Sequence, residues 1–227
     1  MSDQRPYQLL IFDWDGTLMD SVARIVDCLR IASDSVLGPA NRSTDELKDV
    51  IGLGLNEALR QLHPNCTNTQ LQAMADSYRY QYMQVNQTTS RLFHGVEDLL
   101  LRLEQQGYWL AVATGKGREG LDQVLQITGL TDRFHCTRCA SETFSKPHPL
   151  MLEEILRQTG LDARKALMIG DTEYDMEMAR NAQMDRLGVS YGVHPVERLH
   201  KHQPIGCLDD INQLDDFLKQ FSQQRVC

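Results

Sequence analysis

The spacing of apolar residues changes period several times along the chain, and those changes divide it. Leu9-Leu10-Ile11-Phe12 is a short apolar run suited to a strand buried on both faces, and Gly16 marks where it breaks into a turn. A helical pattern follows, with Val22, Ile25, Val26 and Leu29 at i, i+3, i+4 and i+7, ending near Gly38-Pro39. Ser43 or Thr44 is placed to cap a second helix, with Glu46 three residues after Ser43 as in a capping box. Ile51-Gly52-Leu53-Gly54-Leu55 interrupts the pattern, Leu55 to Leu62 resumes it, and His63-Pro64-Asn65 reads as a loop. Leu71, Met74, Ala75, Tyr78 and Tyr82 stripe a further helix. From about 19 to 87 no segment alternates convincingly as a strand, so this stretch predicts a helical block.

From Gly95 the rhythm changes. Val96, Leu99, Leu100 and Leu103 form a helix face that Gly107 is placed to stop. Tyr108 to Ala113 predicts a strand broken by Thr114-Gly115, 118–127 a helix, and Phe134 to Cys139 a weaker strand. Lys146-Pro147-His148-Pro149 precedes a helix striped by Leu152, Ile155 and Leu156, and Ala166 to Ile169 is a buried strand ending at Gly170-Asp171. Residues 173–183 read as helix, Arg186 to Ser190 as strand, and Ile211, Leu214, Phe217, Leu218 and Phe221 stripe a last helix. Strands alternating with helices predict an α/β fold: a doubly wound parallel sheet with helices on both faces. The first strand is parted from the others by the helical block. The simplest organisation is therefore an α/β core of residues 1–18 and 88–227 with a helical cap, 19–87, inserted after the first strand. Hinges are expected near 16–20 and 87–94.

Composition narrows the partners. The 227 residues are 41% hydrophobic and 24% charged, ordinary for a soluble globular chain. A net charge of −8 without any Lys/Arg run argues against nucleic acid and anionic membranes, while leaving room for a phosphorylated substrate held by local cations. No apolar stretch approaches the ~20 residues of a membrane helix. Met1-Ser2-Asp3-Gln4-Arg5-Pro6 runs into the first strand without the regions of a signal peptide, so a cytoplasmic location is expected. Six scattered cysteines fit reduced thiols there. Cys136 and Cys139 form a Cys-x-x-Cys beside His135, but without a second pair at zinc-finger spacing a metal or redox role is disfavoured. Nothing in the sequence sets the oligomeric state.

The candidate chemistry sits at the strand ends. Asp13 and Asp15 follow the first strand, Thr114 and Gly115 follow the second, Lys146 stands before the 150s helix, and Asp171 follows the Ala166–Ile169 strand with Asp175 four residues on. Alone, each has an ordinary meaning: an acidic turn, a turn, a solvated lysine, a helix cap with a surface acid. Together they arrive in order where an open α/β sheet binds its ligands, outside the carboxyl ends of its strands. The set fits phosphoryl transfer through a covalent aspartyl intermediate. A carboxylate can act as nucleophile, and magnesium, a hard cation suited to carboxylates and phosphate, offsets its repulsion from the phosphate. Thr114-Gly115 and Lys146 could hold and neutralise phosphate oxygens, and Asp15 could protonate the leaving oxygen and then activate water.

The motifs Asp13-Trp14-Asp15-Gly16-Thr17, Val112-Ala113-Thr114-Gly115-Lys116, Ser145-Lys146-Pro147 and Gly170-Asp171-Thr172-Glu173-Tyr174-Asp175 resemble those of the haloacid dehalogenase (HAD) superfamily. The resemblance spans essentially the whole chain and is to the phosphoglycolate phosphatase-like branch, with a Rossmann-like core and an inserted α-helical cap. It implies a Mg²⁺-dependent phosphatase acting on a small phosphorylated metabolite, with phosphoglycolate a candidate. By resemblance Asp13 is the nucleophile and Asp15 the acid/base. Asp13, Asp171 and the main-chain carbonyl of Asp15 would hold Mg²⁺, Thr114, Gly115 and Lys146 would bind phosphate, and Asp175 would orient Lys146 or the metal's waters. Gly115 stands where relatives often carry Asn, which should leave the backbone contact intact. Dehalogenases and phosphonatases of the superfamily differ at the position of Asp15. A sugar phosphomutase keeps both acids but adds a cap histidine where this chain reads Val22-Ala23-Arg24-Ile25. Hydrolysis is therefore preferred, with a phosphomutase or a non-catalytic phosphate-binding module as alternatives. Within the cap, Gly52-Leu53-Gly54 is either a specificity loop or a helix–helix turn. Arg24 either meets a substrate carboxylate or lies on a solvated face.

Overall fold

A computed structural model describes residues 5–39 and 42–224; Met1–Gln4 and Cys227 lie outside them. The chain begins with β1 (Leu9–Phe12) and β2 (Met19–Asp20), then enters α1 (Val22–Leu37), α2 (Thr44–Asp49), α3 (Leu55–Leu62) and α4 (Asn68–Tyr80), the last ending in a π-helical turn, Gln81–Val85. It returns through β3 (Arg91–Leu92), α5 (Val96–Gln105), β4 (Trp109–Thr114), α6 (Arg118–Thr128), β5 (Cys136–Cys139) and α7 (Leu150–Thr159). The remainder is β6 (Ala166–Gly170), α8 (Glu173–Asn181), β7 (Asp185–Val189), α9 (Val196–His200), β8 (Cys207–Leu208) and α10 (Leu214–Gln224).

Six strands form one parallel sheet in the order β5-β4-β1-β6-β7-β8, so the fold is the expected doubly wound α/β type. The apolar runs split by alternation between two cores. Leu10, Phe12, Leu110, Val112, Leu167 and Ile169 face one layer of helices, while Leu9, Ile11, Ala111, Ala113, Ala166 and Met168 face the other. Burial on both faces is why these strands read as continuous apolar stretches. A third cluster, built on Ile25, Leu29, Leu47, Leu59, Met74 and Tyr82, belongs to the helices between β2 and β3 and packs among them. Two of these helices start by local rules: Ser43 with Glu46 at α2 and Thr67 with Gln70 at α4 both close capping boxes.

The stretch read as strandless begins with one. β2 pairs antiparallel with β3, joining Met19 to Leu92 and Asp20 to Arg91, and Phe93 N–H donates to Leu18 O at 2.9 Å. Two-residue strands carry no alternation to detect, and the same brevity hides β8 and the single turn of α9. This ribbon carries both chain crossings to the helical block.

Leu10 lies at the sheet's centre between Leu110 and Leu167 and is fully buried. Leu10→Ala should cost about 2–5 kcal/mol by lost burial and the cavity left behind. The check is a lower urea midpoint with an unchanged denaturant slope.

Candidate active site

Parallel register aligns the strand ends. Phe12 sits beside Val112 on one side and Ile169 on the other, so Asp13, Thr114 and Asp171 emerge at the same edge of the sheet. Asp13 N–H still donates to Ile169 O at 2.9 Å, which fixes the backbone where the strand ends. Gly16 then turns the chain with φ +80°, and a Cβ there would lie 2.2 Å from Asp171 Oδ2. Both the dihedral and the contact require glycine.

At this edge Lys146, 1% exposed, places its Nζ 2.7 Å from Asp13 Oδ1 and 2.7 Å from Asp175 Oδ1. These are ion pairs by distance, without the angles of well-formed hydrogen bonds. Burial opposes the lysine's charge, but Asp13 and Asp175 outweigh it and hold the ammonium protonated. Asp175 spends its other oxygen on the start of α8, accepting from Thr172 N at 3.0 Å and Thr172 Oγ1 at 2.6 Å. Asp171 accepts from Thr17 Oγ1 and from Val193 N, each at 2.8 Å. Burial, with Asp175 nearby, pushes the Asp171 carboxyl up to about 7, and burial likewise raises Asp13 well above the usual carboxylate range.

Oxygens of Asp13, Asp171 and Asp175 lie within 4.8 Å of one another. Ionised, the three carboxylates exceed the one ammonium by two negative charges. Asp13 Oδ2 is buried with no hydrogen-bond partner among the described residues. An all-oxygen donor set with an orphaned carboxylate oxygen and a twofold charge excess fits a hard divalent cation. Such an ion would offset the burial, and the mutual repulsion added to it, that raise Asp13 and Asp171.

Asp13 and Asp15 open onto a cleft of about 720 Å³ between the sheet edge and the helical block. Thr114, Gly115, Gly52, Leu53 and Gly54 line it. A Cβ on Gly115 would stand 2.4 Å from Leu53 O and 2.6 Å from Gly52 O, so the bare backbone here is what lets the loop settle onto the β4 end. Gly54 N–H donates to Ser145 Oγ at 2.7 Å, fastening the loop beside Lys146. On the far side Tyr174 OH donates to Asp49 O at 2.8 Å, and Arg198 pairs with both Asp49 and Glu173.

Arg24 takes neither of its expected places. It does not line the cleft; its guanidinium lies over the Tyr82 ring, 4.6 Å from the centroid, and donates to Tyr82 O at 2.5 Å. It faces inward because α1 turns that side toward the π-helical turn. Lys116, the last residue of the second motif, reaches Asp15 Oδ1 at 3.0 Å and Tyr82 OH at 2.8 Å. Ser21 Oγ donates to the same Asp15 oxygen at 2.5 Å. Position two residues after Thr114 was the available signal for Lys116; nothing local marked Ser21 or Tyr82. Cys136 and Cys139 belong to opposite cores, and burial raises both thiols, Cys139 to about 12. They form no joint site.

Residues 10–189 match the model of the haloacid dehalogenase-like hydrolase family. The chain belongs to that family. It is 32% identical over 219 residues to a phosphoglycolate phosphatase of Vibrio cholerae, covering 91% of this chain and 95% of that one. A Dickeya dadantii protein named "Probable phosphatase IndB" is 31% identical over 210 residues, 91% of each chain. These relatives put it on the phosphoglycolate phosphatase-like branch, among hydrolases. Among solved structures, a hydrolase from Pseudomonas syringae superposes with a TM-score of 0.84 at 22% identity, covering 95% of this chain and 99% of that one. A β-phosphoglucomutase from Clostridium difficile gives 0.82 at 18%, covering 97% and 99%. One fold thus serves hydrolase and mutase, and the choice between them lies in the site.

The raised Asp171 carboxyl has a consequence for stability. A folded-state value near 7 against an ordinary 3.8 means the metal-free fold binds the extra proton between those limits. That contribution is complete below about 4 and is lost as pH rises through 7. Asp171→Asn should therefore gain stability relative to the metal-free wild type as pH rises over this window, read as the difference in urea midpoints at pH 4.5 and about 8. A difference that stays flat would refute the assigned burial effect.

Proposed function

We propose that the protein is a Mg²⁺-dependent phosphatase that hydrolyses a small phosphate monoester through an aspartyl-phosphate on Asp13. The reading is carried by one observation: the buried Asp13 Oδ2 has no partner, while its Oδ1 is held by Lys146 beside Asp171. A carboxylate so placed is oriented and free to react or to bind a cation.

Asp13 attacks phosphorus as the ester P–O bond breaks, and the electron pair leaves on the alcohol oxygen, which takes a proton from Asp15. Asp15 then removes a proton from water, whose oxygen attacks the phosphorus of the aspartyl-phosphate. The acyl phosphate P–O bond breaks, inorganic phosphate departs and the Asp13 carboxylate returns. Lys146 lies where its ammonium can offset charge on the transferring group, and Thr114 with the Gly115 backbone is suited to orient phosphate oxygens. Asp13, Asp171 and the main-chain carbonyl of Asp15 would hold Mg²⁺, with Asp175 keeping Lys146 in place. Bound there, the ion supplies charge neutralisation between nucleophile and phosphate.

Residues 19–87 act in this reading as a cap, and Gly52-Leu53-Gly54 as the part of it nearest the reacting atoms. Phosphoglycolate is the candidate ester, after the named activity of the Vibrio relative. A cytoplasmic setting suits such a metabolite; no described helix is long and apolar enough to cross a membrane.

Phosphate release from 4-nitrophenyl phosphate and from phosphoglycolate should require Mg²⁺ and stop on chelation. Asp13→Asn should lower kcat by about 10³-fold or more. Full activity in that variant, or turnover indifferent to metal, would sink the assignment and favour a binding module. A second expectation separates the acids. Asp15→Asn should block turnover while retaining Mg²⁺ binding by calorimetry, and Asp171→Asn should lose the binding itself. Equal loss of metal in both variants would contradict the separate roles.

A further inference from the structure

Asp15 is held by two donors that converge on one of its oxygens. Ser21 Oγ, at the entry to α1, reaches Oδ1 at 2.5 Å, and Lys116 Nζ reaches the same atom at 3.0 Å. Oδ2 carries no partner among the described residues, and Asp15 lines the cleft. With Ser21 donating to Oδ1 and the Lys116 ammonium paired with the same atom, Oδ2 is the uncommitted oxygen. That is the oxygen left to face a leaving group.

Lys116 is itself set from the helical block. Its side chain is 7% exposed, its Nζ donates to Tyr82 OH at 2.8 Å, and it stands 4.4 Å from the Tyr82 ring centroid. Tyr82 is buried in the block's own apolar cluster and sits on the π-helical turn Gln81–Val85. Arg24 covers the ring and holds the Tyr82 carbonyl. The chain of contacts therefore runs from α1 through Arg24 and Tyr82 to Lys116 and ends on Asp15. Asp15 and Lys116 belong to the sheet edge, whereas Tyr82 and Arg24 belong to the helical block. Contact between Lys116 and Tyr82 exists only while the two are seated together.

We propose that Lys116 is a positioning residue for Asp15, and that Tyr82 makes that positioning depend on the seating of the helical block. The proposal rests on the reading of Asp15 as acid/base. It assigns Lys116 no contact with substrate. Proton donation matters most when the leaving oxygen is basic and little when it leaves readily as an anion. A defect in holding the acid should follow the same gradient.

The test compares 4-nitrophenyl, phenyl and benzyl phosphates, whose leaving oxygens grow more basic in that order while their rings stay similar. For Lys116→Met, kcat/KM with benzyl phosphate should fall about 10- to 100-fold, and with 4-nitrophenyl phosphate less than about threefold. Tyr82→Phe keeps the ring and loses the hydroxyl, so it should show the same ordering at smaller amplitude; it also serves if Lys116→Met folds poorly. In an Asp15→Asn background, where turnover is blocked and the single-turnover release of the alcohol is read instead, the Lys116 effect should vanish, which a general loss of structure would not produce. An equal loss across all three esters would overturn the proposal, since it would mark Lys116 as a substrate-binding group. Unchanged activity in both variants would overturn it too. Asp15→Asn alone tests the underlying reading: its single-turnover release of the alcohol should depend steeply on the leaving group, and a flat response would remove the acid role whatever Lys116 does.

Discussion

A buried ammonium between two carboxylates governs this site. Lys146 is almost wholly removed from water, and an unpaired charge there would be far too costly to keep. Asp13 and Asp175 satisfy it, and in doing so they tie the end of β1 to the start of α8. Asp175 is already committed to the α8 capping box through Thr172, so the lysine's position is fixed by a helix end as well as by charge. Asp171 is left without a cation of its own among the described side chains, and burial, with Asp175 nearby, raises its carboxyl. The fold's local rules and the site's electrostatics are therefore not separable here.

The central strands, the flanking helices and the acids at the strand ends were legible because each is marked locally. Apolar runs buried on both sides announce β1, β4 and β6, and a polar residue directly after each run announces an edge where ligands bind. The capping box of Ser43 with Glu46 is likewise written into adjacent residues. What was not legible depends on how two separately packed bodies meet. Arg24 reads as a candidate for substrate from its position on α1, but the direction of its side chain is set by Tyr82, some sixty residues away in sequence. Lys116 sat in plain view after Thr114; its partner Tyr82 did not. Strands of two residues, such as β2 and β3, have no periodicity for any pattern to reveal.

Gly115 illustrates how an apparently small departure changes meaning once the fold is known. In the role the resemblance implies, a backbone contact to phosphate, it needs no side chain. The structure adds that a side chain there would meet the carbonyls of Gly52 and Leu53, so its absence sets how closely the loop approaches the sheet edge. The same site thus combines a residue needed for its charge, Lys146, with one needed for its lack of volume.

The β2–β3 ribbon carries both crossings between the core and the helical block side by side, paired through Met19–Leu92 and Asp20–Arg91. Two single-stranded tethers would leave the block free to swivel. A hydrogen-bonded pair resists twisting about its length more than two separate strands would, so the ribbon narrows the ways in which the block can shift against the sheet. Because Tyr82 and the Gly52–Gly54 loop both belong to the block that this ribbon joins to the sheet, a displacement of the block as a unit would part both contacts at once.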